Sequence, residues 1–416
     1  MINIFITKMS KSLSTKPIVW ILVIAFLVRL AAAVYLGNNL SGLSGAYDEI
    51  SYNTLAERYV EGYGLTFPSD WYPWIKANAP QSYYSIIMSL YLVGIYRIFG
   101  YLPIVARLIT VLLSTISVYV IFLLVRKVFN QKVALFAALI SALYAYLIFY
   151  GVTLVTETPF ILFILLSIYL AYDISEFPKM WKWIGLGIAL SICVLFRMAV
   201  IFYIPFLLTW IIWKQRSNRL YAIIPLVLIF VSILPFTIRN YQIWGRFLLL
   251  ESQFGHVFWN GNHPDSNGDF HPYRVFPIPG EVLSENNDVV ITNRLLKMGI
   301  ENIGNNPNLF ISLIITRLRE FFKFWPTSDS DTVANFMRVI SFGVLLPLSV
   351  MGLWLSRKEF WRLTPIWLFM LIHTGVYAIS WTMIRYRIPL DAILTMFAGL
   401  TVADLACRFQ SRRNAL

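Results

Sequence analysis

Long apolar runs alternate with short polar segments over most of this chain. The runs approach the roughly 17–25 residues that a membrane-spanning helix needs, and they predict spans at 17–37, 103–125, 133–150, 156–172, 183–198, 199–213, 220–238, 336–355, 363–381 and 388–406. Residues 81–99 form an eleventh candidate. Arg197 and Pro205 mark the boundary between the fifth and sixth spans, which have almost no linker. The pattern predicts an all-α polytopic membrane protein with ten spans, or eleven if 81–99 crosses.

The polar segments divide the chain into three predicted regions. Residues 1–238 form an N-terminal transmembrane module whose first outer loop is 38–102, residues 239–335 form a long outer loop, and residues 336–416 form the C-terminal transmembrane helices. Within the long loop, Pro and Gly are spread through 261–280, whereas 288–303 and 308–324 have the apolar spacing of short helices.

The amino-acid composition also indicates a membrane protein. Hydrophobic residues make up 58% of the 416 positions and charged residues only 13%, which is too apolar for a soluble domain of this size. The net charge of +13 comes from Lys and Arg in short runs between apolar segments, so it indicates topology and not a nucleic-acid partner. Cys193 and Cys407 are the two cysteines, and they imply neither a disulfide framework nor a metal–thiolate cluster.

The basic loops set the expected orientation, because short cytoplasmic loops carry an excess of Lys and Arg. Such residues occur in the N-terminal segment with Lys8, Lys11 and Lys16, near 126–132, 179–182, 214–219 and 357–362, and in the tail at 408–413. All these segments share one side only if 81–99 does not cross. We therefore expect 81–99 to lie in the membrane interface, with an ordinary eleventh span as the alternative.

Three carboxylates fall on the predicted outer side. Asp48 and Glu49 follow the first span, and Glu157 begins the fourth in an otherwise uncharged region. A carboxylate at the membrane surface can act as a base for a hydroxyl nucleophile, and an ionisable residue in a span is usually functional. The alternative is structural: acidic residues in the first turn of a helix stabilise its dipole.

Four arginines lie on the same side, where topology does not call for positive charge: Arg197, Arg239, Arg385 and Arg387. Arginine suits a phosphate because its fork can donate two parallel hydrogen bonds. Any single one could instead extend to lipid headgroups. Lys76 is a further basic candidate, and His373 in the ninth span is either a ligand-binding residue or a core histidine.

These residues resemble the motifs of the GT-C superfamily of polytopic glycosyltransferases, in its branch of protein O-mannosyltransferases and lipid A aminoarabinose transferases. Asp48-Glu49 looks like the acidic pair after the first span, and Val155-Thr156-Glu157 like the second acidic position. Other matching segments are Ala79-Pro80-Gln81-Ser82-Tyr83-Tyr84, Phe196-Arg197, Pro235-Phe236-Thr237-Ile238-Arg239-Asn240-Tyr241, the segment from Gly255-His256 through Trp259-Asn260-Gly261-Asn262, and Arg385-Tyr386-Arg387-Ile388-Pro389-Leu390. The resemblance implies a GT-C type helix bundle in the cell membrane, with its active site on the periplasmic or extracellular side.

The resemblance also implies a function and roles for these residues. A polyprenyl-phosphate sugar would be the donor, a lipid, glycan or protein hydroxyl the acceptor, and the sugar would be displaced directly with inversion. Asp48 would accept the acceptor's proton, while Arg385, Arg387, Arg239 and Arg197 would neutralise the departing phosphate. Glu157 would position the acceptor, the donor sugar or a divalent cation, so that Asp48 and Glu157 are the candidate metal ligands although no cofactor is required. The remaining candidate substrate-binding residues are Lys76, Tyr83, His256, Asn260 and His373.

Two other classes of membrane protein remain open. A lipid-linked sugar flippase would also need outer arginines, but it should show internal repeats, and none is visible in this sequence. An O-antigen polymerase or ligase would use a pyrophosphate-linked donor and would rely on outer Arg and His residues in place of an acidic pair.

Overall fold

The computed structural model describes residues 16–40, 46–71, 74–268, 276–285, 287–328, 330 and 332–413. Within these residues the fold is helical, and the only β-type pairing is an isolated bridge between Thr66 and Pro80. The first half contains α1 Lys16–Leu36, α2 Asp48–Val60, α3 Ile86–Phe99, α4 Pro103–Val128, α5 Gln131–Leu143, α6 Ala145–Tyr150, α7 Glu157–Glu176 and α8 Met180–Phe196. The second half contains α9 Ile204–Lys214, α10 Ile223–Trp244, α11 Gln253–Gly261, α12 Gly280–Leu283, α13 Asp288–Asn305, α14 Pro307–Phe321, α15 Thr332–Met337, α16 Gly343–Leu355, α17 Thr364–Ile379 and α18 Ile384–Arg413.

Every predicted span coincides with helical structure. Among the described residues, six helices are long and apolar enough to cross a membrane, at 16–36, 103–128, 157–176, 216–244, 332–355 and 384–411. Shorter apolar helices occupy 86–99, 131–143, 180–196, 198–214 and 364–379. The all-helical polytopic fold is confirmed, although α10 continues to Trp244, six residues beyond the predicted end at 238.

Helix α3 does not cross the bundle. The backbone N–H of Ile104, at the start of α4, donates to Asn38 Oδ1 at 2.9 Å, and Arg107 Nε donates to Gly37 O at 3.1 Å. The chain therefore leaves α1 and enters α4 at the same end of the bundle. With 14 residues, α3 is about 21 Å long, which is shorter than the roughly 30 Å hydrocarbon core.

The basic loops meet at the opposite end, as the charge pattern predicts. Lys127 forms an ion pair with Asp173 at 2.7 Å, and the same carboxylate contacts Lys182 at 2.5 Å. Arg362 donates to the carbonyl of Lys127, and Gln215 donates to the carbonyl of Ser175. Four loops that are distant in sequence thus share one face; Lys8 and Lys11 lie outside the described residues.

A fully buried arginine joins the first span to the third. Arg29 donates to the carbonyls of Ser141 and Ala142 at 3.1 and 2.9 Å and to the hydroxyl of Ser114 at 2.8 Å. These carbonyls lie where α5 ends and Tyr144 adopts an extended backbone conformation. The guanidinium therefore satisfies carbonyl groups that the helix break leaves without partners inside the helix.

The segment predicted as a long outer loop, 239–335, contains several helices among its described residues. Helices α13 and α14 confirm the two short helices expected from apolar spacing. His256 and Asn260, which the sequence placed in the long outer loop, lie on helix α11. Arg317 of α14 fastens α11 to the end of α17 by donating to the carbonyls of Gly261 and Ala378.

Candidate active site

A cavity of about 270 Å³ opens between helix α2, the segment after α8, the segment before α11 and the junction of α17 with α18. Polar and charged side chains on its wall include those of Asp48, Tyr52, Ser85, Thr156, Arg197, Glu251, Gln253, Tyr377, Ser380 and Arg385. Phe196, Phe202, Phe254, Trp381 and Tyr386 supply aromatic surface. The cavity therefore combines charged groups with an apolar rim.

The acidic pair after the first span divides between two environments. Asp48 Oδ2 accepts a hydrogen bond from a terminal guanidinium nitrogen of Arg385 at 2.6 Å, on the cavity wall. Glu49 is buried and forms an ion pair with Arg107, and its second oxygen accepts from the backbone N–H of Leu154 at 3.1 Å. Consecutive residues of a helix point about 100° apart, so only Asp48 faces the cavity and Glu49 anchors α2 to the spans.

Opposite charges alternate in a row beside the cavity. Arg385 contacts Asp48, and its Nε lies 3.8 Å from Glu157 Oε1. Glu157 in turn forms an ion pair with Arg197. Glu157 Oε2 and Arg385 Nε make no hydrogen bond to any described residue. The row thus retains one acceptor and one donor that a ligand could use.

Tyr386 supports both arginines of this row. The guanidinium groups of Arg197 and Arg385 each lie 5.2 Å from the centre of its ring, within the range of a cation–π interaction. His373 Nε2 lies 2.8 Å from the carbonyl of Tyr386, and the His373 ring stacks on Phe369. His373 is therefore packed in the core beneath the site, which favours the core alternative over ligand binding.

Arg387 is separated from Arg385 by the helix that carries both. Its side chain is fully buried and donates to Asp391 at 3.0 Å and to the carbonyl of Phe321 at 2.7 Å. Tyr144 donates to the same carboxylate at 2.6 Å. Helix α18 begins at Ile384 and carries both arginines, and residues two apart on a helix point about 200° apart. Arg387 thus lies away from the cavity, contrary to the expectation that it neutralises the departing phosphate together with Arg385.

The remaining sequence candidates have partners outside the cavity wall. Tyr83 Oη lies 2.8 Å from His256 Nδ1, and Arg239 donates to the carbonyl of Gln81 at 3.2 Å. Asn260 Oδ1 accepts from the backbone N–H of Phe276 at 3.1 Å. Lys76 pairs with Asp70 at 3.0 Å on the exposed surface. None of these five candidates (Lys76, Tyr83, Arg239, His256, Asn260) lines the cavity.

Glu251 is a cavity residue that the motifs did not point to. Burial, together with the nearby charge of Asp48, raises its pKa to about 7, while Arg197 acts in the opposite direction. Its only sequence signal is that it interrupts an apolar outer stretch directly after Leu248-Leu249-Leu250. A lone carboxylate in a loop is ordinarily solvated, so this signal is weak.

Comparison with known proteins supports one family and one fold. Residues 85–239 match the family model "Dolichyl-phosphate-mannose-protein mannosyltransferase". The oligosaccharyltransferase of Archaeoglobus fulgidus superposes with a TM-score of 0.60 at 13% identity, covering 96% of this chain and 51% of the archaeal one. The resemblance to the GT-C superfamily is confirmed.

Further solved structures extend this comparison. The same archaeal enzyme, AglB, in complex with an inhibitory peptide and dolichol-phosphate, superposes with a TM-score of 0.57 at 14% identity, covering 96% of this chain and 52% of AglB. ArnT from Cupriavidus metallidurans, bound to undecaprenyl phosphate, has a TM-score of 0.45 at 16% identity, covering 95% of this chain and 79% of ArnT. None of the curated proteins matches this chain in sequence. The chain thus has the GT-C fold but spans about half the length of the oligosaccharyltransferase it matches.

The candidate metal ligands, Asp48 and Glu157, both lie against arginine side chains. Zinc and sulfate accompany another structure of the archaeal enzyme. Here Asp48 and Glu157 each contact arginine side chains, and the described residues contain no group of three or more His, Cys, Asp or Glu that could hold an ion. A divalent cation would have to compete with Arg385, which lies against both carboxylates.

Proposed function

We propose that this protein transfers a sugar from a polyprenyl-phosphate donor to an acceptor hydroxyl on the outer face of the cell membrane, with inversion. The observation that carries the proposal is the contact between Asp48 and Arg385 on the cavity wall. It brings together a carboxylate that can accept a proton and a guanidinium that can bind a phosphate. The GT-C family match and fold support a glycosyltransferase of this kind.

Arg385 and Arg197 are suited to bind the donor phosphate. Both line the cavity, and Arg385 Nε has no hydrogen-bond partner among the described residues. Guanidinium groups that are already in place can stabilise the charge that develops on the phosphate as its bond to the sugar breaks. Tyr386 holds both groups in position before the donor arrives.

The polyprenyl chain requires an apolar path from the bilayer to this phosphate. The segment from Met198 to Phe202 contributes Met198, Ile201 and Phe202 to the cavity wall, and the Phe202 side chain is 56% exposed. Phe254 of α11 lines the same cavity and is also exposed. We assign this apolar rim to the entry of the donor lipid, because exposed aromatic surface beside a polar cavity can contact the isoprenoid units.

In the proposed reaction, Asp48 accepts the proton of the acceptor hydroxyl as its oxygen attacks the anomeric carbon. The bond between that carbon and the phosphate oxygen breaks, and its electron pair stays with the phosphate. A single displacement from the opposite side inverts the anomeric centre. General-base catalysis contributes roughly 10²–10⁴-fold in rate, and electrostatic stabilisation of this type roughly 10²–10³-fold.

The proposal is tested with purified protein in nanodiscs. A panel of polyprenyl-phosphate hexoses and pentoses is offered with lipid, glycan and peptide acceptors, and the transferred sugar and released polyprenyl phosphate are measured, with and without a chelator. NMR of the product then gives the anomeric configuration. Movement of a labelled lipid-linked sugar across vesicles without transfer would instead identify a flippase, and retention of configuration would exclude single displacement.

A further inference from the structure

Glu251 is held at the cavity wall by backbone hydrogen bonds on both sides of it. Asn240 Nδ2 donates to the carbonyls of Leu248 and Leu250, at 3.3 and 2.9 Å. The backbone N–H of Ser252 donates to the carbonyl of Ser82 at 2.8 Å, and Thr292 donates to the carbonyl of Ser252 at 2.5 Å. A segment fixed at four points presents its one charged side chain in a defined place.

The charges around the cavity leave Glu251 without a partner of opposite sign in direct contact. Asp48 is matched by Arg385, and Glu157 is matched by Arg197. Glu251 lines the same cavity, but it makes no ion pair or hydrogen bond that compensates it within the described part of the chain. A carboxyl group in this position is satisfied by water or by a ligand that brings hydroxyl groups.

The surroundings of Glu251 suit a single sugar ring. The cavity, at about 270 Å³, is large enough for a sugar ring. Phe254 and Trp381 line it together with Glu251. Aromatic surface can pack on the apolar face of a sugar, while a carboxyl group accepts hydrogen bonds from its hydroxyls.

We propose that Glu251 is the residue that recognises the transferred monosaccharide, through hydrogen bonds to its ring hydroxyls. The inference rests on the proposed function, and it assigns Glu251 to specificity and not to proton transfer or phosphate binding. Asp48 and Arg385 act on the reacting atoms, whereas Glu251 contacts hydroxyls that take no part in the reaction. Glutamine keeps the shape of this side chain and one acceptor oxygen, so it can replace part of this role.

The test compares lipids that differ only in the sugar. Binding of polyprenyl phosphate and of its mannose, glucose and arabinose esters is measured for wild type, Glu251→Ala and Glu251→Gln. At least one ester should bind the wild type more tightly than the sugar-free phosphate. For that ester we expect about a 10- to 100-fold higher Kd in Glu251→Ala, since a hydrogen bond to a charged group is worth that much, a smaller increase in Glu251→Gln, and an unchanged Kd for polyprenyl phosphate.

The matched control is Glu281→Ala, which removes an exposed carboxylate from the same outer segment. It should leave all these affinities unchanged. Equal weakening of the sugar ester and the sugar-free phosphate in Glu251→Ala would overturn the proposal, and so would a change confined to the KM of the acceptor. A wild type that binds no ester more tightly than polyprenyl phosphate would also overturn it. A wild type that binds an ester but transfers no sugar contradicts the proposed function instead.

Discussion

Asp48 and Arg385, which are 337 positions apart in the chain, meet at the cavity wall with Oδ2 and a terminal guanidinium nitrogen 2.6 Å apart. The proposed base and the proposed phosphate ligand are therefore partners of each other before substrate binds. A donor phosphate that accepts the hydrogen bond of Arg385 would free the Asp48 carboxylate to accept a proton. This relationship favours an order of events in which the donor binds before the acceptor is deprotonated.

The first prediction concerns Asp48→Asn. The amide keeps the shape of the side chain but cannot take a proton, so we expect transfer to fall by about 10²–10⁴-fold while polyprenyl-phosphate binding and thermal stability stay close to wild type. Sugar transfer in nanodiscs is the measurement. Asp70→Asn, which changes an exposed acid of the same outer loop, is the control and should be fully active. Activity of Asp48→Asn within a few-fold of wild type would move the base to another carboxylate, with Glu157 first.

The second prediction concerns Arg385→Lys. Lysine keeps the charge but loses the bidentate geometry, so we expect weaker binding of polyprenyl phosphate and slower transfer, without a large change in melting temperature. The affinity is measured in detergent and in nanodiscs. If Arg385 only contacts lipid headgroups, lysine should serve equally well. Arg385→Lys would then bind polyprenyl phosphate as tightly as wild type, both in detergent and in nanodiscs, and this result would contradict the phosphate role.

The third prediction concerns Arg387, which we expect to stabilise the fold and not to bind the donor phosphate. Arg387→Met should lower stability by about 3–5 kcal/mol, because it leaves the carboxylate of Asp391 buried without its cation. The double variant Arg387→Met/Asp391→Leu should recover much of this loss, since it removes both charges. Melting temperatures in detergent measure both effects. A stable Arg387→Met protein that no longer binds polyprenyl phosphate would restore Arg387 to the phosphate site.

The sequence predicted the helical scaffold well because hydrophobic length and loop charge are strong signals. The spans, the shared end of the basic loops and helices α13 and α14 all follow from such local patterns. The shared phosphate role of Arg385 and Arg387 did not follow from such a pattern, because it depends on the backbone between them, which is helical. Once the helix is known, the direction of each side chain is fixed, and the two arginines separate.

Some features of the site could not be predicted from the sequence. Glu251 gains its place from contacts of its neighbours with Asn240 and with Ser82 and Thr292, and the last two are distant in sequence. Likewise, Asp48 faces the cavity and Glu49 does not, and this difference depends on where helix α2 begins. Single-sequence patterns identify which side of the membrane a charge occupies, but the contacts between segments decide which charge faces the cavity.

The fourth prediction concerns topology. In a Cys407→Ser background, cysteines placed at the exposed positions Arg126 and Lys358 should react only from the cytoplasm. Cysteines at Asp265 and Ser328, also exposed, should react only from outside. A membrane-impermeant thiol reagent applied to intact and to opened cells distinguishes the two. Labelling at Arg126 from outside would mean that 81–99 crosses the membrane.

The fifth prediction concerns pH and His256. Burial lowers the pKa of His256 from 6.5 to about 4, so the unfolded chain binds more protons than the folded one between these values. Its contribution to stability is present above pH 6.5 and is lost as pH falls towards 4, by at most about 3 kcal/mol. Melting temperatures of His256→Gln should therefore depend less on pH in this window than those of wild type.

The comparison must be made at matched pH. Burial raises the pKa of Asp288 to about 6, and its contribution to stability is lost as pH rises through the same window, so it opposes that of His256. Because both proteins contain Asp288, its effect cancels in the difference between their melting temperatures. Parallel pH curves for wild type and His256→Gln would contradict the role of His256.

The partners of Arg29 affect how the first span inserts into the membrane during synthesis. The first span carries this arginine, yet the carbonyls of Ser141 and Ala142 that bind it lie 112 and 113 positions later. At about 5–20 residues per second, synthesis delivers them roughly 6–22 s after Arg29. An unpartnered arginine near the middle of a span costs about 2.5–3.5 kcal/mol on insertion scales. Throughout that interval the newly made first span carries this cost, and the carbonyls at the break in the third span remove it when they arrive.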